Sequence, residues 1–301
     1  MVFVQIILPV FLIFSVGYIG EKVIGFEIRS LSIMALYLMS PFLAFRTFYE
    51  TALDITYFYM VFYSLLLCFS LIMIVKVIGR IRDYSKSQVC GMILASSFMN
   101  NGNYGTPVAL FAFGAVGLDY AVVLMVIQTL IMSTVGVYYA VKGSSSANFS
   151  ARQAIAVVLK IPIIYGAILG LILQQIPAKL PGPFLQATGF IADATIPTIM
   201  IILGMQLAKI KIKGIPLSKV SLALSLRLFV SPLIAVVIIF ILPIDALLKS
   251  IMILMAAMPS AANTAMYSLQ FGTEPELVSA STLLSTLFSL ITLPILLTLL
   301  L

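Results

Sequence analysis

The chain has 301 residues, of which 62% are hydrophobic and only 9% charged, against about 45–50% and about 25% in ordinary globular proteins. So few charges cannot cover the surface of a soluble fold this long, which leaves an integral membrane protein. The net charge of +7 does not point to nucleic acid, because the 17 basic residues are dispersed through short loops, where Lys and Arg report orientation. There is no histidine, which removes the commonest general base and metal ligand. Cys68 and Cys90 lie in or beside apolar runs and imply neither a disulfide framework nor a metal cage.

At about 20 apolar residues per crossing, the chain accommodates ten spans. Hydropathy and punctuation place them at Val2–Ile19, Leu31–Phe48, Ile55–Ile78, Val89–Phe113, Tyr120–Val141, Ala154–Gln174, Phe190–Ala208, Val220–Leu242, Ala246–Phe271 and Leu277–Leu300. These long apolar runs do not fit barrel strands of about ten alternating residues, so the fold class is all-α. The stretch to Ile19 lacks a positive leading region and a small-residue cleavage site and reads as the first span, not a cleaved signal.

The odd-numbered loops hold Lys22 and Arg29; Lys76, Arg80, Arg82 and Lys86; Lys142 and Arg152; and Lys209, Lys211, Lys213 and Lys219. The even loops hold only Arg46, Lys179 and Lys249. This bias puts the odd loops in the cytoplasm and both termini outside a multi-pass cytoplasmic membrane protein. The most polar connection, with Gly143-Ser144-Ser145-Ser146, follows span five and has the composition of a flexible linker. The expected domains are a first five-helix half at 1–142, a cytoplasmic linker at 143–152 and a second half at 153–301. Because five is odd, the second half enters with opposite polarity, and two halves of one fold would form an inverted 5+5 repeat, a common transporter plan. Pro9 and Pro162, Pro41 and Pro197, and Phe113-Gly114 and Phe271-Gly272 recur at similar offsets.

Two spans carry polar, helix-breaking centres. Span four contains Asn100, Asn101, Gly102, Asn103, Tyr104, Gly105, Thr106 and Pro107 near mid-membrane. Glycine and proline disfavour a continuous helix there, and three asparagines are costly in hydrocarbon without partners. Span nine carries Pro259, Ser260, Asn263 and Thr264. Paired interruptions at corresponding places in two halves mark transporter binding sites. A helix that restarts after a break presents unpaired N–H groups and the positive end of its dipole, which suits an anion such as a carboxylate. The substrate-binding candidates are therefore Asn100, Asn101, Asn103, Tyr104, Ser260 and Asn263, with Gly102, Gly105, Pro107 and Pro259 interrupting the two spans. Tyr104 either lines an apolar part of the pocket or caps the broken backbone with its hydroxyl.

These residues resemble the auxin efflux carrier, or PIN-like, family of transporters, in its bacterial form. The likeness lies in Asn100, Gly105-Thr106-Pro107 and Phe113-Gly114; in the stretch from Met258 to Thr264; in Ser281 to Ser285 and Thr292-Leu293-Pro294; and in span seven, from Ala194 to Pro197 and from Leu203 to Ala208. The resemblance implies ten transmembrane helices with broken, crossing helices 4 and 9, elevator-type movement of a transport domain, a homodimer, and small organic anions as substrates. By the family pattern Asn100 becomes a carboxylate donor and Pro107 and Pro259 the crossover prolines. The short linker departs from members with long central loops.

Asp193, about one turn before Pro197, is the candidate for coupling to Na+ or H+, or else an interfacial acid at a helix start. Arg227 and Lys160 lie within spans near their cytoplasmic ends and are expected to snorkel. Gly166 and Gly170 form a GxxxG pair suited to close packing. The expected function is export of a small carboxylate by alternating access, with a sodium-coupled importer resembling bile-acid symporters as the alternative. No cofactor is expected beyond a coupling ion. An intramembrane enzyme is disfavoured by the lack of a His dyad, of HExxH and of a facing aspartate pair. A cysteine placed at Glu274 in the ninth loop should be labelled by an impermeant reagent only from the cytoplasm; labelling from outside would overturn the topology.

Overall fold

The computed structural model describes residues 8–52, 54–144, 158–176, 180–209 and 217–301. In chain order the helices are α1 (Leu8–Ile24), α2 (Ile28–Glu50), α3 (Ile55–Ile81), α4 (Lys86–Ser96), α5 (Asn101–Gly143), α6 (Pro162–Gln174), α7 (Gly182–Ala208), α8 (Leu217–Phe240), α9 (Ala246–Ala256), α10 (Ala262–Phe271) and α11 (Pro275–Leu300). Among the described residues no strand occurs, and six helices (α2, α3, α5, α7, α8 and α11) are long and apolar enough to cross a membrane. The starts expected for spans one and six, and the linker beyond Ser144, lie outside the described residues.

The second half of expected span four continues into span five as α5, which turns sharply at Gly114. Its φ of 69° and ψ of −157° fall where only glycine sits without strain. The matching Phe271-Gly272 pair ends α10, with Gly272 in the left-handed region at φ 71°. In both places the glycine lets the chain turn out of a helix.

Proline accompanies a widened turn in three helices, whereas Pro197 of α7 and Pro294 of α11 sit in regular helix and the π-turn at Met132–Gly136 precedes no proline. π-turns at Met34–Met39, Asn101–Gly105 and Leu226–Val230 are followed by Ser40-Pro41, Thr106-Pro107 and Ser231-Pro232. Proline lacks the N–H that would close the preceding turn, and the wider turn makes room for its ring. The hydroxyl before the proline then covers an exposed carbonyl: Ser40 donates to Ala35 O at 2.9 Å and Thr106 to Gly102 O at 2.6 Å.

The chain forms two compact units, each drawing on both sequence halves. One lies within residues 1–57, 102–126 and 159–210; the other lies within 58–101, 127–158 and 211–301. Sequence halves and compact units are therefore different divisions of the same chain.

The first unit is held by helices touching backbone to backbone. A Cβ on Gly17 of α1 would lie 1.9 Å from Ile201 O of α7, and one on Gly204 of α7 would lie 1.9 Å from Phe14 O of α1. The Gly166 and Gly170 pair of α6 sits likewise on Pro41 O and Phe45 O of α2. Small residues permit such approach in lipid, where packing, not the hydrophobic effect, drives helix association. Lys209 pairs with the buried Glu21 at 2.8 Å.

In the second unit the short helices α4 and α9 each start on a good cap. Ser85 and Gln88 form a reciprocal capping box on α4, and the Asp245 carboxylate accepts from Leu248 N at 2.9 Å on α9, satisfying otherwise orphaned donors. Tyr63 of α3 donates to Met252 O of α9 at 2.7 Å. Thr273 donates to Ala140 O and packs against Gly143.

Gly204→Ala should lower the melting temperature of purified protein, by an overpacking cost of about 1–3 kcal/mol. An unchanged melting curve would refute the α1–α7 backbone contact.

Candidate functional site

Helices α4 and α9 are each 11 residues long and stop inside the apolar region, at Ser96 and Ala256. The segments that follow are extended and pair antiparallel at Met99 and Ser260. Asn100 N–H donates to Pro259 O at 2.8 Å, and Ala261 N–H donates to Phe98 O at 3.0 Å. Two broken helices thus satisfy each other's main chain among buried residues, which is what irregular backbone requires if it lies within a bilayer. Pro259 lacks an N–H, so only its carbonyl takes part.

Side chains complete this crossover. Ser260, fully buried, donates to Ala95 O at 2.5 Å while its own N–H donates to Ser285 Oγ of α11 at 3.0 Å. Thr264, also buried, donates back to Ala261 O at 2.8 Å in the first turn of α10. Asn100 and Asn101 are 7% and 4% exposed, and Asn263 stands half-buried in that same first turn. Two buried polar atoms of the break have no hydrogen-bond partner: Ser97 Oγ and Asn101 Oδ1.

Arg227 of α8 corrects the sequence expectation. It does not snorkel; it is 0% exposed. Its guanidinium donates to Ser96 O at 3.1 Å, to Ala256 O and to Ser231 Oγ, and Ser231 donates to Ala256 O at 2.8 Å. Ser96 and Ala256 are the last residues of α4 and α9, so one cation caps the negative ends of both half-helices. Sequence reasoning missed this because the partners are carbonyls, which carry no residue signature. The available signal was an arginine four residues before a serine, in a span otherwise free of charge. Ser97 was missed as well, since a lone serine next to an asparagine cluster draws no notice.

The other predicted residues fall elsewhere. The chain passes from the second unit to the first at the Asn101–Gly102 bond, so Gly102, Asn103, Tyr104, Gly105 and Pro107 belong to the first unit. There Tyr104 is 1% exposed and its ring packs on Phe14 with centroids 5.6 Å apart. Asn103 borders a small cleft with Ser32, Ala35, Leu36, Ile199 and Ile202. Gly105 and Pro107 are buried at the start of the continuous part of α5. A Cβ on Gly102 would come within 3.2 Å of Met125 Sδ. Asp193 is exposed and forms an ion pair with Arg46.

Comparison with known proteins adds the family. A family described as membrane transport protein matches residues 2–297. The chain belongs to this transporter family. It is the auxin efflux carrier, or PIN-like, family that the motifs of spans four, seven and nine resemble. An uncharacterized transporter of Methanothermobacter thermautotrophicus is 30% identical over 220 residues, covering 72% of this chain and 70% of that one. An uncharacterized transporter of Methanocaldococcus jannaschii is 29% identical over 224 residues, covering 72% and 69%. Family members are transporters rather than enzymes.

Two serines one turn apart on α11 test the crossover. Ser285→Ala leaves the buried Ser260 N–H unsatisfied and should cost about 1–3 kcal/mol in thermal unfolding. Ser281→Ala removes a buried hydroxyl that has no partner and should be near neutral. Equal effects would refute the assignment.

Proposed function

We propose that the protein is a secondary transporter moving a small organic anion, a carboxylate, out across the cytoplasmic membrane by elevator-type alternating access. The observation that carries this reading is the pair of uncommitted buried polar groups in the broken segment, Ser97 Oγ and Asn101 Oδ1. Buried polar groups are otherwise nearly always bonded, so a pair left over inside a transporter fold is a place for a guest. Turning the Asn101 amide about its last side-chain bond exchanges its oxygen for its NH2, which offers a donor to a carboxylate. Asn100, Ser260 and Asn263 complete the proposed site, and the amides at the start of α10 add the positive end of a helix dipole. A membrane potential of 100 mV, negative inside, favours anion exit by about 2.3 kcal/mol per charge, so export needs no second ion.

The ten-helix inverted 5+5 repeat, with halves at 1–142 and 153–301, is part of this proposal. It is supported by the equal lengths of α4 and α9 and by the positive-φ glycines after Phe113 and Phe271. It is also supported by the matching glycine-to-backbone contacts of α1 with α7 and of α6 with α2, which pair the first helix of each half with the second of the other. The homodimer and the outside placement of both termini follow from the family likeness and the loop charges. Asn103 and Tyr104 remain candidates only as neighbours of the crossover in sequence.

A sodium-coupled importer is the second reading, favoured by the same Asn101 oxygen, since a hard cation takes carbonyl oxygen ligands. Asp193 is the lesser candidate for coupling because its carboxylate is engaged by Arg46.

The test is thermal stabilisation of purified protein by a panel of mono- and dicarboxylates, including malonate, malate and indole-3-acetate, followed by flux in liposomes. At least one carboxylate should stabilise the protein, and Asn101→Ala should weaken that effect at least tenfold in concentration. No stabilisation across the panel, or an unchanged Asn101→Ala response, counts against the anion site. Flux that vanishes without a sodium gradient selects the second reading.

A further inference from the structure

A charge buried without an opposite charge is costly unless something else neutralises it. Arg227 is such a charge: it is fully buried, and among the described residues no Asp or Glu pairs with it, the two ion pairs being Arg46–Asp193 and Lys209–Glu21. All ten acidic residues of the chain are among those described. What faces the guanidinium instead is the C-terminal carbonyls of α4 and α9, through Ser96 O and Ala256 O. A helix C-terminus carries about half an elementary negative charge, so two of them supply about one, the size of the arginine's own.

This match has a consequence for the crossover. Without Arg227, two negative helix ends would stand beside the positive N-terminal end of α10 within the same unit, and the local field would largely cancel. With Arg227 in place the negative ends are neutralised, and the amides from Ala262 onward dominate. We propose that Arg227 is a positioning residue that sets the sign of the crossover, making it select anions over cations, and that it locks the two half-helix ends together. The proposal rests on the anion-transport reading for its biological meaning, but its electrostatic content concerns Arg227, α4, α9 and α10 alone. The bonds to Ser231 and to both helix ends hold the guanidinium in one orientation, as its planar fork allows and an ammonium does not.

The experiment uses an introduced thiol as a probe of local potential, with no transported solute needed. Asn263→Cys places a thiol in the half-buried first turn of α10, while native Cys68 and Cys90 are buried. The pH dependence of its reaction with methyl methanethiosulfonate gives the fraction ionised. In the otherwise unchanged protein this thiol should ionise below the usual value near ~8.5. Adding Arg227→Met should raise its midpoint by about one pH unit, a tenfold loss of thiolate at pH 7, whereas Arg227→Lys, which keeps the charge, should restore most of it. A merely structural arginine would move the melting temperature but leave the three midpoints equal, and that result overturns the proposal. If Arg227→Met does not fold, a midpoint for Asn263→Cys alone at or above ~8.5 overturns it equally. Failure of every carboxylate to stabilise the protein, with the thiol midpoints shifting as expected, would sink the anion-export reading and leave this one standing.

Discussion

The organising constraint is that main-chain polar groups have nowhere to go inside a bilayer except to one another. Breaking one helix there would strand several carbonyls and amides. Breaking two and laying the loose segments side by side, as Met99 and Ser260 do, lets each supply what the other lost. The remaining debts are settled by side chains: Ser285 takes the Ser260 amide, Ser260 covers Ala95 O, and Arg227 covers Ser96 O and Ala256 O. Once those are accounted for, Ser97 Oγ and Asn101 Oδ1 of the broken segment are left over, along with Arg227 Nε behind it, and the functional reading grows out of the unmet bonding of the first two.

How much of this was legible depended on whether the partner was a side chain or the backbone. The interruptions were readable because Asn100, Asn101 and Asn103 with Gly102, Gly105 and Pro107 violate what hydrocarbon tolerates. The close packing of Gly166 and Gly170 was readable because two hydrogens at helical spacing have few other uses. Arg227 was misread, since snorkelling and capping look identical in a string of letters and only three-dimensional proximity of Ser96 and Ala256 separates them. The packing of the Tyr104 ring on Phe14 was not legible, because it is a contact across ninety positions that periodicity does not encode. The kink at Gly114 inside α5 was read as a gap between spans, whereas it is confined to a single residue.

The π-turns add a rule that was present in the sequence and went unread. In three helices a Ser or Thr precedes a Pro, and the turn before it widens. The proline removes a donor, the widened turn relieves its ring, and in α2 and α5 the neighbouring hydroxyl bonds a carbonyl four or five residues back. Proline's covalent structure is only part of the pattern, because Pro197 and Pro294, which follow Ile196 and Leu293, sit in regular helix.

The widened turn at Leu226–Val230 also fixes the rotational phase of α8. A π-turn is in effect one extra residue wound into the helix, and one residue corresponds to about 100° of rotation. The segments on either side are therefore out of step with a regular helix, and Arg227 faces inward while Phe229 and Leu233 face out. The spacing between this arginine and Ser231 is consequently intolerant of length change in a way that side-chain identity alone does not reveal. Deleting one of its apolar residues, with Arg227 and Ser231 both kept, would straighten the coil and swing the cation away from its two carbonyls.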